Sequence, residues 1–237
     1  MSDVMLEVEG LDAWYGRARI LFGVSLKIRR GEVVALLGRN GAGKTTTLRT
    51  LMGLVPQRGG RVMFEGRDVS RLPTHEIVRC GLGYVPEDRR IFTELTVVEN
   101  LEVGRRPPRP GAAPWTRDNL FALFPNLAEM HERPGGRMSG GEQQMLTIAR
   151  TLMGQPLLVL LDEPSEGLAP KIVEDMAHAI LAMKKAGLSV LVCEQNLHFA
   201  KAISDRAYII EGGRIRYEGT IAELEAQPEI RDAYLAV

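Results

Sequence analysis

The run Gly38-Arg39-Asn40-Gly41-Ala42-Gly43-Lys44-Thr45 matches the pattern G-x-x-x-x-G-K-[ST] at every fixed position. Residues of these types at this spacing can cradle the phosphates of a nucleotide. The glycines let backbone N–H groups turn inward, the start of a following helix adds partial positive charge, Lys44 reaches the β- and γ-phosphates, and the Thr45 hydroxyl ligates Mg²⁺. Gly38, Asn40, Gly41, Gly43, Lys44, Thr45 and Thr46 are the candidate cradle. Ordinary residue frequencies make an accidental match a roughly one-in-a-hundred event at this length. The flanks argue against accident: Glu32 to Leu37 reads as a buried strand and Thr46 to Met52 as a helix closed by Gly53, the strand–loop–helix context the motif needs.

A second constellation comes after the apolar run Leu157-Leu158-Val159-Leu160-Leu161, which ends in Asp162-Glu163. A strand that delivers two carboxylates at its C-terminal end places them where open α/β sheets bind ligands. Beside a phosphate loop, Asp162 can hold Mg²⁺ and Glu163 can orient and deprotonate an attacking water. The plainer reading, that the acids merely cap the next stretch of chain, leaves the phosphate loop out of account. A third constellation, Ser139-Gly140-Gly141-Glu142, is both a capping box and a phosphate-sized nest. Taken alone it is an ordinary helix start; the helix is amphipathic through Met145, Leu146, Ile148, Ala149, Leu152 and Met153 and stops at Gly154 and Pro156.

The elements that must position these groups show in the hydrophobic pattern. Met5 to Leu11 and Gly23 to Ile28 alternate at period two, as half-exposed antiparallel strands do, and Arg61 to Gly66 supplies another. Val33 to Leu37, Leu157 to Leu161, Ser189 to Cys193 and Ala207 to Ile210 are short, nearly continuous apolar runs, the mark of parallel strands buried on both faces. The expectation is an α/β core with an antiparallel β-rich edge. Between Asp88 and Gln155 helix-like segments take over, interrupted by Arg105-Arg106-Pro107-Pro108-Arg109-Pro110-Gly111, which reads as an exposed linker rather than a recognition peptide.

With 237 residues the chain can bury a substantial core, and thirty basic against thirty acidic side chains leave no net charge. That balance gives no footprint for nucleic acid, so nucleic acid is not an expected partner. Cys80 and Cys193 have no C-x-x-C partner and read as reduced, packed thiols. The start of the chain lacks a basic end with an apolar stretch, and no run reaches membrane-spanning length, so a chain neither secreted nor self-inserting is expected. His75, His131, His178 and His198 show no metal-ligand spacing.

Ser139-Gly140-Gly141-Glu142-Gln143-Gln144, shortly before a strand ending in Asp162-Glu163-Pro164, resembles the signature sequence of ABC-transporter ATPases, with Met138 where the commonest form has leucine. On that match nearly the whole chain falls into register with the family. The resemblance implies a single ABC ATPase domain over residues 1–237. Its fold would be that of P-loop NTPases, with a RecA-like parallel core sheet and an antiparallel β subdomain in residues 1–87 and 156–237, and an inserted helical subdomain in residues 88–155. It implies ATP and Mg²⁺ as ligands. Each ATP would be sandwiched between the phosphate loop of one subunit and Ser139, Gly140, Gly141 and Glu142 of another. Tyr15 resembles the aromatic residue that stacks on adenine, although a tyrosine packed in the β edge reads the same way. Ser165 to Leu168 resembles the D-loop, which crosses the dimer interface.

Two positions depart from the family pattern. Glu87 stands where the Q-loop glutamine belongs and Gln195 where the switch histidine belongs. Glu87 can still ligate Mg²⁺ through an oxygen, and Gln195 can still donate to a γ-phosphate oxygen without titrating near neutral pH. Both replacements, with the segment Asp162 to Pro170, resemble the LivF-type ATPases of branched-chain amino acid importers, with the ATPases of urea and short-amide importers close behind. The implied partners are a paralogous LivG-type ATPase, two polytopic permease subunits and, indirectly, a periplasmic or extracellular solute-binding protein. The implied location is the cytoplasmic face of the plasma membrane. A soluble ABC ATPase of repair or translation would be expected to carry a coiled-coil insertion or a duplicated cassette. A P-loop kinase or GTPase has no need of Ser139-Gly140-Gly141.

Overall fold

The computed structural model describes residues 3–110 and 114–234. In chain order its elements are β1 (Val4–Tyr15), β2 (Ala18–Arg29), β3 (Val33–Leu37), α1 (Lys44–Leu51), β4 (Gln57–Phe64), β5 (Arg67–Asp68), α2 (Thr74–Cys80) and β6 (Leu82–Val85). A helical stretch comes next: α3 (Val97–Gly104), α4 (Arg117–Leu123), α5 (Pro125–Glu129), a short 3₁₀ turn and α6 (Gly140–Met153). The chain then returns through β7 (Leu158–Asp162), α7 (Pro170–Lys185), β8 (Ser189–Glu194), α8 (Leu197–Ile203), β9 (Arg206–Glu211), β10 (Arg214–Thr220), α9 (Ile221–Glu225) and α10 (Pro228–Tyr234).

The central sheet has the order β10-β9-β3-β8-β7-β6, all parallel except for β10. Every residue of β3, β7 and β8 is buried, because this sheet is covered on both faces. Period-two alternation then divides one strand between two cores. Val34, Leu36, Leu158, Leu160 and Leu191 face a core shared with α1 and the antiparallel sheet β2-β1-β4-β5. Val33, Ala35, Leu37, Val159 and Leu161 face the other, shared with α6, α7 and α8. Tyr208 links the two sheets: its ring is buried in β9, and its hydroxyl accepts from the Lys27 N–H of β2 at 3.0 Å and donates to Glu218 of β10 at 3.0 Å.

The structure modifies several expectations. The first two strands run longer than their alternating cores. β6 and β10 have no counterpart among the expected strands: β6 is four residues including Gly83, and β10 is an edge strand with exposed or half-exposed residues throughout, so neither has an apolar run to announce it. The helix after the phosphate loop begins at Lys44, two residues before the apolar pattern shows it, and Gly53 lies just past its end at φ +69°. Residues 105–110 form no helix and are mostly exposed, as expected, but Arg109 is not a free linker side chain. Its guanidinium donates to the carbonyls of Gln155, Arg79 and Val78, fastening the segment to α2 and to the end of α6; Gly111 lies outside the described residues. Among the described residues no helix is long and apolar enough to cross a membrane, and Cys80 and Cys193 are free thiols.

Candidate nucleotide site

Parallel pairing in register aligns the carboxyl ends of β3, β8 and β7: Leu37 is opposite Glu194, and Cys193 opposite Asp162. The chain leaves β3 into the phosphate loop at a point with no room for a side chain. A Cβ on Gly38 would lie 2.5 Å from the Ile210 carbonyl oxygen of β9. Gly43, at φ +115°, then turns the loop into α1, which has no side-chain cap. The N–H groups of the first turn, Lys44 to Thr46, therefore point out of the helix start for an anion to accept. Asn40 and Gly41 lie exposed at the mouth of the loop.

Lys44 is 3% exposed. Its ammonium donates to the carbonyls of Gly38 at 2.7 Å and Arg39 at 3.1 Å, and lies 3.1 Å from Glu163 Oε1. The Thr45 hydroxyl donates to Asp162 Oδ1 at 3.0 Å, and the Tyr84 hydroxyl donates to Oδ2 of the same carboxylate at 3.0 Å. Asp162 is fully buried. Burial pushes its carboxyl up, the bonds from Tyr84 and Thr45 draw it part of the way back, and the charges of Glu163 and Glu87 add to the upward push. Burial and the Asp162 charge push the Tyr84 hydroxyl up as well, so Tyr84 remains a donor throughout the physiological range. Glu163 stands at φ +47°, a left-handed conformation that costs a non-glycine residue roughly 1–2 kcal/mol.

Glu87 is exposed just beyond β6 and acts electrostatically on Asp162 and Glu166. Gln195 is half-buried between β8 and α8. Glu166, hydrogen-bonded to Glu163, partly desolvated and facing the further charges of Glu87 and Glu194, is pushed up to about 7. Tyr15 ends β1 with its ring 43% exposed, available for stacking. The hairpin it belongs to leans on the phosphate loop, since a Cβ on Gly43 would meet Leu21 of β2 at 3.0 Å.

The signature residues fold as their capping box predicts. Ser139 caps α6, its N–H donating to Glu142 at 2.7 Å and its hydroxyl accepting from the Glu142 N–H at 3.4 Å. Gly141 packs against α7, where a Cβ would come within 2.7 Å of Ile172. Among the described residues none of Ser139, Gly140, Gly141 and Glu142 bonds to the phosphate loop, Asp162 or Glu163 of the same chain. The phosphate-loop centre and the helix start at Ser139 to Glu142 are thus separate on one chain.

Two residues of the centre, Tyr84 and Glu194, escape a reading of the sequence alone. Tyr84 lies 78 residues from the aspartate it holds. Glu194 is visible as an acid closing an apolar run beside Gln195, but its partners lie in other loops.

The fold and the centre define a P-loop nucleotide hydrolase. The ABC transporter family profile matches residues 21–166, and the chain belongs to that family. It is similar, at 43% identity over 98% of this chain and 99% of the relative, to the high-affinity branched-chain amino acid transport ATP-binding protein BraG of Pseudomonas aeruginosa. The lipopolysaccharide export system ATP-binding protein LptB of Haemophilus influenzae is 36% identical over 98% of this chain and 97% of its own. Among solved structures, the ADP conformation of an ATP-binding cassette of an ABC transporter superposes with a TM-score of 0.81 at 26% identity, covering 98% of both chains.

Proposed function

We propose that this chain is the ATP-hydrolysing subunit of an ABC importer for branched-chain amino acids. The observation that carries the hydrolytic part is the convergence of Lys44, Thr45, Asp162 and Glu163 at the carboxyl edge of the parallel sheet. ATP lies along the loop, with its phosphates on the N–H groups of α1 and its adenine on Tyr15. Lys44 balances the charge that develops at the γ-phosphate. Glu163 accepts the proton of the attacking water. Gln195 donates to a γ-phosphate oxygen and stays neutral.

The donor set suits Mg²⁺: a hydroxyl and a carboxylate already bonded to each other, both hard oxygen ligands. Among the described residues no three acidic, histidine or cysteine side chains form a metal cage, so a cation here shares its shell with phosphates and water, as Mg²⁺ does. Thr45 and Asp162 would hold it, with Glu87, whose charge acts on Asp162, as the proposed third oxygen, and the ion would supply charge neutralisation at the phosphates.

Two half-sites on one chain call for a second subunit. Ser139 to Glu142 of one ATPase close over the ATP of the other, so ATP binding favours the closed pair and hydrolysis releases it. We assign the second place to a paralogue of the LivG type and the motion's output to two permease subunits, at the cytoplasmic face of the membrane, fed by a solute-binding protein. A surface cleft of about 410 Å³, lined by Leu54, Val78, Leu82, Phe92 and Val103, supports permease docking. Phe92 and Val103 expose 48% and 56% of their surfaces there. The helical subdomain of residues 88–155 forms one wall of that cleft. The higher identity to the amino acid transport relative than to the exporter relative supports the cargo.

Co-expression with the paralogue and both permeases, followed by mass measurement, tests the assembly. One copy each of this chain and the paralogue is expected. Two copies of this chain without the paralogue would overturn the pairing.

A further inference from the structure

Glu194 ends β8 and is 2% exposed, yet among the described residues no lysine, arginine or histidine pairs with it. Its carboxylate is met by the Ser165 side chain and by two backbone N–H groups. Oε1 accepts the Ser165 N–H at 3.1 Å, Oε2 accepts the Asn196 N–H at 3.3 Å, and its own carbonyl accepts the Gly38 N–H at 3.3 Å. Burial pushes the carboxyl up, and the hydrogen bonds from Ser165 and Asn196 draw it down.

A buried carboxylate without a counter-ion is costly, and an apolar residue would close this strand at lower cost. The geometry shows what the carboxylate does that no apolar residue can. Its two oxygens reach in two directions. One holds Ser165, where the chain leaves Glu163 for the loop that continues to α7. The other bridges over Gln195 to Asn196, which in turn caps α8 through its side chain on the Phe199 N–H at 3.1 Å.

We propose that Glu194 is a positioning residue that couples the loop starting at Ser165 to the loop carrying Gln195, so that Gln195 reaches the γ-phosphate only while the Ser165 loop is seated. This rests on the reading of Gln195 as a γ-phosphate donor. The coupling needs two acceptor atoms on one rigid group. A glutamine at this position has one acceptor and one donor, so it satisfies one N–H and opposes the other.

The test uses this chain assembled with the paralogue and both permeases, with Mg-ATP, and the variants Glu194→Gln, Gln195→Ala and the double variant. Glu194→Gln should melt no lower than wild type and bind ATP within twofold of it, since a neutral amide is easier to bury. Its kcat should fall about tenfold, the scale of one lost hydrogen bond to a charged acceptor. In the Gln195→Ala background the same substitution should change kcat no further, because Glu194 acts through Gln195. Glu194→Asp, which keeps the charge but is too short to span both loops, should show the same fall and the same non-additivity. A wild-type kcat in Glu194→Gln, multiplicative losses in the double variant, or a loss of ATP affinity matching the loss of kcat would overturn the coupling. A wild-type rate in Gln195→Ala would instead overturn the reading of Gln195, and the coupling with it. Slow hydrolysis in Gln195→Ala beside normal hydrolysis in Glu194→Gln would overturn the coupling alone.

Discussion

Lys44 Nζ lies 3.1 Å from Glu163 Oε1, with the two side chains 3% and 9% exposed. On the proposed reading, the cation that would serve the γ-phosphate and the base that would serve the water neutralise each other. An incoming γ-phosphate competes for the ammonium and leaves Glu163 free to accept a proton. On that reading the pair would link nucleotide entry to activation of the base.

Lys44→Ala removes the counter-ion from both phosphate and Glu163. Hydrolysis should be abolished and ATP affinity should fall at least about tenfold, the scale of a lost charge-assisted bond. Nucleotide titration on the chain and phosphate release from its assembly with the paralogue and both permeases read both. Wild-type turnover would remove Lys44 from the site.

Glu163→Gln keeps the shape and loses the base. ATP should still bind, and hydrolysis should fall by about a hundredfold or more, within the range for general base catalysis. An unchanged rate would mean that another group activates the water.

Tyr84→Phe leaves Asp162 Oδ2 without its donor. The Asp162 carboxyl, already raised by burial, rises further and is a poorer ligand at neutral pH. The Mg²⁺ concentration for half-maximal hydrolysis should increase about tenfold, as a lost hydrogen bond to a charged group predicts. The rate at saturating Mg²⁺ should change less. An identical Mg²⁺ dependence would show that Tyr84 only packs.

A hydrogen bond with Glu163 first, then burial and the neighbouring carboxylates, push the Glu166 carboxyl up to about 7 in the folded chain. A carboxyl raised on folding contributes stability that is full below its unfolded pKa and is lost as pH rises through the folded one. The melting temperature of nucleotide-free wild type should therefore fall between about pH 5 and 8 relative to Glu166→Gln, whose amide donates at every pH. Parallel melting curves across that window would contradict the Glu163–Glu166 bond.

The groups that do the chemistry are legible where a motif stays local. Gly38 to Thr45 and Asp162-Glu163 sit at the ends of runs buried along their whole length, and Ser139 and Glu142 are three residues apart on one helix start. What is illegible is long-range. Tyr84 meets Asp162 and Glu194 meets Ser165 only because β6, β7 and β8 are neighbours, and neighbour order in a parallel sheet leaves no trace in any one segment. β10 is hidden for a different reason: an edge strand solvated on one side needs no apolar run.

The most direct test of the transport role is leucine uptake in a strain lacking this chain, complemented with wild type or with Glu163→Gln. Deletion should abolish high-affinity uptake of leucine, isoleucine and valine while sparing that of urea. Wild type should restore it, and Glu163→Gln should not. Undiminished branched-chain amino acid uptake after deletion would contradict that role, and lost urea uptake in the same strain would move the cargo to the short amides.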